Sequence, residues 1–172
     1  SRRGTGSRST DVCVEPPMAG PNCSNTERFL HLNEKIGSHD AFSKVITTLD
    51  NGNGRLSSFL RDNSLLQLIV VTDDESNMNW GRFQGQMAQR GFDSFTLHGV
   101  VGLRDRGCVA DVGNEYIEGA TETNGSLLHI CDHDWGRVLD VLVESTVSQI
   151  ERTFVLNLSL IHISEPTRHH VI

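Results

Sequence analysis

The sequence predicts an α/β fold, a three-layer arrangement in which a mostly parallel sheet carries helices on both faces. Residues 65–72, LLQLIVVT, form a nearly continuous apolar, β-branched run between polar flanks, the pattern of a strand buried on both sides of a parallel sheet. Residues 94–101, SFTLHGVV, and the shorter 127–130, LLHI, repeat that character. Segments with apolar residues at helical spacing alternate with these runs, and such alternation is the mark of β–α–β units joined by right-handed crossovers.

Each element has its own local cause. Residues 1–25 are rich in Ser, Arg, Gly and Pro, and Pro16, Pro17, Gly20 and Pro21 make this stretch a loop. Residues 29–36, FLHLNEKI, alternate loosely and run into the turn-like Gly37-Ser38-His39-Asp40. That turn offers N-caps to a helix over 41–49, with Ala41, Phe42, Val45, Ile46 and Leu49 on its buried stripe, and Asp50-Asn51-Gly52-Asn53-Gly54 stops it.

After the strand at 65–72 comes the acidic loop Asp73-Asp74-Glu75-Ser76-Asn77. Residues 79–90 then place Trp80, Phe83 and Met87 on one helical face, and Gly91 closes that helix. Following the strand at 94–101, a cysteine-bearing loop leads to a helix over 115–123 ended by Asn124-Gly125, and the strand at 127–130 follows. Asp134 caps a last helix in which Trp135, Val138, Leu139, Leu142, Val143, Val147 and Ile150 recur three and four apart. Residues 153–156 add an edge strand in this reading.

At 172 residues the chain has room for one domain. A formal net charge of −7 with scattered Lys and Arg repels phosphate backbones, so nucleic acid is not an expected partner. No apolar run approaches the roughly 20 residues of a membrane-spanning helix. The four cysteines, Cys13, Cys23, Cys108 and Cys131, lack the spacing of a zinc site. Two local disulfides, Cys13 to Cys23 and Cys108 to Cys131, are the expected use and would place the chain outside a reducing cytoplasm; four reduced thiols are the alternative.

In open α/β sheets ligands sit beyond the carboxyl ends of the strands, which singles out Asp73 to Ser76. Carboxylate and hydroxyl oxygens there suit a hard cation such as Mg²⁺, whereas a solvated loop that ends a strand explains them without one. Ser38 and Asp40 form a second oxygen cluster, for which helix capping is the competing explanation. Asp132-His133-Asp134 is read as a disulfide-tethered loop leading into the last helix rather than an acid–base group, and His98 as a packed histidine within the sheet.

Taken in order, IGSHDAF, FLRDNSLLQLIVVTDDES, FTLHGVVG followed by Cys108, and GNEYIEGATETNGSLLHICDHDWGRVLDVL resemble a von Willebrand factor A domain. The type found in secreted or lipid-anchored bacterial proteins is the nearest in character, and the resemblance runs from about residue 10 to residue 156. Such domains carry a metal-ion-dependent adhesion site built from an Asp-x-Ser-x-Ser loop after the first strand, a Thr in a second loop and an Asp after a later strand. The resemblance puts Asp73 at the late Asp and Ser38 where the Thr would stand. It leaves the first motif without a counterpart, because Asp74-Glu75-Ser76-Asn77-Met78 follows the wrong strand and lacks the final Ser.

The resemblance therefore implies a domain that begins after its first strand and helix: a loop-rich edge segment over 1–25, with residues 9–13 ending an edge strand, a partial domain over 26–156, and a non-native tail over 157–172. Residues 158–168, LSLIHISEPTR, resemble the translation of a sequencing adapter, which removes His162, His169 and His170 from consideration.

The implied function is non-enzymatic and extracytoplasmic (secreted, periplasmic or lipid-anchored). Mg²⁺ held by Asp73, Ser38 and the absent first loop would accept an acidic side chain of a protein partner, and this chain by itself would hold the metal weakly at best. The alternatives are a structural module whose metal site has decayed, and a metal-assisted hydrolase using Asp73, Asp74 and His133. Loss of a strand beside residues 65–72 would also leave an apolar sheet position open and the chain poorly soluble.

Overall fold

A computed structural model describes residues 14–158, apart from 33, 52–54, 62–63 and 105–106; within that span the side chains of 51, 55, 57 and 149–158 are also left undescribed. The elements in order are α1 (Ala41–Asn51), α2 (Arg55–Phe59), β1 (Leu66–Val71), α3 (Trp80–Ala88), β2 (Phe95–Val101), α4 (Asn114–Glu122), β3 (Leu127–His129) and α5 (Trp135–Leu158), with a 3-10 turn over Pro21–Cys23 ahead of them. Two compact units divide the chain, one ending at His133 and the other beginning at Asp134.

The first unit is built on an open, all-parallel sheet of three strands in the order β1-β2-β3. Leu66 pairs with Phe95 and Val71 with Val100, while Gly99 pairs with Leu127 and Val101 with His129. The α/β class and the parallel pairing thus agree with the sequence reading. The role of the first strand does not. Residues 65–72 were expected to lie buried on both faces, yet β1 is the sheet edge among the described residues, with Ile69 52% and Val71 55% exposed. An apolar β-branched run reports strand propensity, but the count of neighbours is a tertiary property that no local pattern carries.

One face of the sheet holds the core. Val70, Leu97 and Val101 meet Phe42 and Ile46 of α1, Trp80, Phe83 and Met87 of α3, and Tyr116 of α4. Phe42 stacks on the Phe83 ring at 4.1 Å between centroids and meets Tyr116 edge-on at 4.7 Å, which locks α1, α3 and α4 together. Close approach of α4 to this cluster requires glycine at one position: a Cβ on Gly119 would stand 2.6 Å from both Leu97 Cδ2 and the Trp80 ring. The turn after α4 requires it again, since a Cβ on Gly125 would stand 1.8 Å from the Leu97 carbonyl oxygen.

Helix α3 starts where Asn79 accepts the Arg82 N–H, and the chain leaves it through Gly91 at φ 83°. Helix α2 was not foreseen from the sequence.

In the second unit, Asp134 caps α5 as expected, its Oδ1 accepting the Arg137 N–H at 3.0 Å. Val138 and Leu142 are its buried positions, whereas Trp135, Leu139, Val143 and Val147 are exposed. The expected edge strand at 153–156 does not form, because α5 continues helically to Leu158. Its β-branched and aromatic residues fit a strand locally, but a helix already under way adds one hydrogen bond for each residue it fixes. Residues 9–13 and the tail from 159 onward lie outside the described residues.

Candidate functional site

The carboxyl end of β1 opens into the acidic loop, and hydrogen bonds spread from it in three directions. Toward the turn before α1, the Thr72 hydroxyl donates to the Ser38 carbonyl, the Ser38 hydroxyl donates to Asp74 Oδ2 at 2.8 Å, and the Asn77 N–H donates to the His39 carbonyl at 2.9 Å. Toward the cysteine-bearing loop, the Asp73 carbonyl accepts the N–H groups of Ala110 and Asp111. Toward α4, Glu75 accepts the Asn114 N–H at 2.7 Å and the Glu115 N–H at 3.2 Å.

This arrangement spends two of the three acidic side chains on internal contacts. Asp74 Oδ1 accepts the Glu75 N–H at 2.9 Å, and its Oδ2 takes the Ser38 hydroxyl with the His39 ring 3.7 Å away. The Ser38 hydroxyl, helped by the Glu75 N–H and the His39 ring, holds the Asp74 carboxyl below the usual carboxylate range. Glu75 serves as a remote cap: its carboxylate sits on the first N–H groups of α4, where the helix dipole favours negative charge. In turn Glu115 accepts the Trp80 N–H at 2.6 Å, and Glu122 accepts the Trp80 indole N–H at 2.6 Å, so the loop, α4 and α3 form one polar chain.

Asp73 differs from its neighbours. Its carboxylate, half-buried, makes no hydrogen bond or ion pair to a described residue, although its backbone is fixed. The Ser38 turn lies beside this loop, and its hydroxyl reaches Asp74 rather than Asp73. Asp40, the other oxygen of the turn, accepts the Gly37 N–H at 2.8 Å and so closes the turn locally.

Behind the loop Tyr116 is fully buried, with a hydroxyl that has no hydrogen-bond partner among the described residues. It lies beside Ser76, whose own hydroxyl donates to the Met78 carbonyl at 2.8 Å. Burial, with Glu75, Asp40 and Asp74 nearby, pushes the phenol up to about 12.

Among the described residues no three of His, Cys, Asp and Glu are grouped to hold a metal ion. His133, placed with Asp73 and Asp74 in the hydrolase reading, belongs to no such group. Of the two residues the resemblance offers as cation ligands, Asp73 has a carboxylate with no described partner, and Ser38 has a hydroxyl engaged with Asp74.

Cys108 and Cys131 form the expected disulfide, with Cα atoms 5.8 Å apart across a sequence separation of 23. It ties the loop after β2 to the chain leaving β3. Cys23 is also disulfide-bonded; Cys13, its expected partner, lies outside the described residues. No helix among the described residues is long and apolar enough to cross a membrane.

Sequence reasoning missed two contributors to this crevice and the role of a third. Thr72 anchors the Ser38 turn and Tyr116 closes the floor, while Glu75, singled out within the acidic loop for its oxygens, caps a helix almost forty positions away. Thr72 left a trace in the sequence as the polar residue ending an apolar strand. No protein family, curated protein or solved structure compared with this chain matches it.

Proposed function

We propose that this chain is an extracytoplasmic binding domain of the von Willebrand factor A type, acting through the crevice at the carboxyl end of β1 and not as an enzyme. The observation that carries this reading is the contrast within the acidic loop, where Asp74 and Glu75 are consumed by internal hydrogen bonds while the Asp73 carboxylate has no described partner on a fixed backbone. An anionic group held rigidly at a strand end is suited to bind an external cation or donor. In the complete arrangement Asp73 and Ser38 would hold Mg²⁺, whose vacant positions would take an acidic side chain from a partner protein. A three-layer architecture with helices on both faces belongs to the same reading.

The Cys108–Cys131 disulfide supports an oxidising location, secreted, periplasmic or lipid-anchored. A second reading, a structural module whose metal site has decayed, draws on the same hydrogen bonds, because a loop that satisfies its own carboxylates needs no ion to hold its shape.

Paramagnetic Mn²⁺ titration followed by amide line broadening separates the two. Binding predicts broadening centred on Thr72 to Asp74 and on Ser38 that disappears in Asp73→Ala. Uniform weak broadening, unchanged by the substitution, would leave the structural module.

A further inference from the structure

His98 sits in the middle of β2, fully buried at 0% exposure, with Thr96 and Val100 buried beside it on the same face of the strand. Its ring nitrogens have opposite roles. Nδ1 faces the backbone N–H of Ser126 at 3.0 Å, and because an amide can only donate, Nδ1 must carry a lone pair. The proton therefore lies on Nε2, which donates to the Gln67 side-chain oxygen at 2.7 Å. One neutral imidazole thus fastens β2 to β1 on one side and to the entry of β3 on the other. Ser126 is held a second time, through its carbonyl, by the Gly99 N–H at 2.9 Å.

We propose that His98 is an acid-sensitive latch on this sheet, whose protonation releases the β3 entry before the rest of the fold gives way. A second ring proton on Nδ1 would set N–H against the Ser126 N–H, turning an attractive contact into a repulsive one. Among the described residues no charged group acts on the ring to compensate. The group facing the ring from β1 is the neutral Gln67 amide and from the β3 side the Ser126 backbone. Burial alone holds its proton affinity below that of an ordinary histidine. The stabilisation is accordingly complete above the unfolded histidine value and is lost as pH falls through the lower folded value. β3 is the element exposed to this loss, being three residues long, at the sheet edge, and continuous with the loop tethered through Cys131.

The test is amide exchange on the whole chain from about pH 7.5 to about pH 5, read as protection factors beside the ring signals of His98. The latch predicts that protection at Ser126 and Gly99 falls at least roughly tenfold in step with the His98 titration, while Phe83 and Met87 in α3 keep theirs. Protection at Ser126 that is insensitive to the titration overturns the proposal. So does simultaneous loss at Ser126 and in α3, or a ring that stays neutral until the whole chain unfolds. In His98→Gln the pH dependence at Ser126 should vanish, and its persistence would equally overturn the latch; if that variant does not fold, the exchange profile of the native chain decides.

Discussion

The Ser38 hydroxyl donates to Asp74 Oδ2 at 2.8 Å, joining the turn before α1 to the loop after β1 across 36 positions of sequence. That bond is the leading reason the Asp74 carboxyl is held low. Its contribution is present above the ordinary carboxylate value and is lost as pH falls through the depressed one. Ser38→Ala should therefore move the Asp74 titration upward toward the unperturbed range and lower stability near neutral pH, with the difference from wild type closing in acid. Carboxyl-carbon NMR titration of both proteins checks this, and an Asp74 titration unmoved by the substitution would refute it.

Glu75 caps α4 from a distance by accepting the Asn114 and Glu115 N–H groups. Removing a cap costs about 1 kcal/mol, so Glu75→Ala should lower stability by roughly that amount and Glu75→Gln by less. Chemical denaturation measures both, and the α4 amides should show the earliest loss of exchange protection.

Tyr116 buries a hydroxyl without a hydrogen-bond partner among the described residues. Removing a buried unsatisfied group while keeping the ring relieves a desolvation penalty of about 1–3 kcal/mol less whatever the neighbouring Ser76 returns. Tyr116→Phe is accordingly expected to leave stability unchanged or raise it, a result a thermal melt distinguishes at once from the loss that a satisfied tyrosine would give.

Gly119 faces Leu97 and Trp80 at distances no Cβ tolerates. Gly119→Ala should cost about 1–3 kcal/mol through displaced packing, despite alanine's better helix propensity. Trp80 fluorescence should report the displacement, since its indole is one of the two groups struck.

β1 leaves Ile69 and Val71 exposed at the sheet edge, beside a groove of about 370 Å³ lined by Ile36, Val45, Leu49, Leu60, Leu68 and other residues. An open apolar edge pairs readily with other chains. The chain should self-associate at rising concentration, and Ile69→Lys should suppress this without unfolding the domain. Light scattering with circular dichroism checks both, and equal association of the two proteins would place the sticky surface elsewhere.

Much of this molecule is legible in one dimension because its causes are local. Trp80, Phe83 and Met87 face the core since helical spacing puts them on one stripe, and Asn124 and Gly125 end α4 since one takes a positive φ and the other leaves no room for a side chain. Asp134 caps α5 through a bond three residues long. The pairing of Cys108 with Cys131 and the burial of His98 could also be anticipated, the first from sequence proximity and the second from an apolar surround.

What the sequence determined by itself is the order and kind of the elements other than α2 and residues 153–156, together with the acidic loop at the end of the strongest strand, because propensity, periodicity and turn chemistry act over a few neighbouring residues. The tertiary structure alone decided that Ile69 and Val71 of this strand stay exposed, that residues 153–156 stay helical, and that Asp74 accepts a distant hydroxyl and Glu75 distant backbone N–H groups while the Asp73 carboxylate meets no described partner. Those outcomes depend on which groups meet across tens of residues, and the satisfaction of a buried or half-buried carboxylate is settled only when its partner arrives.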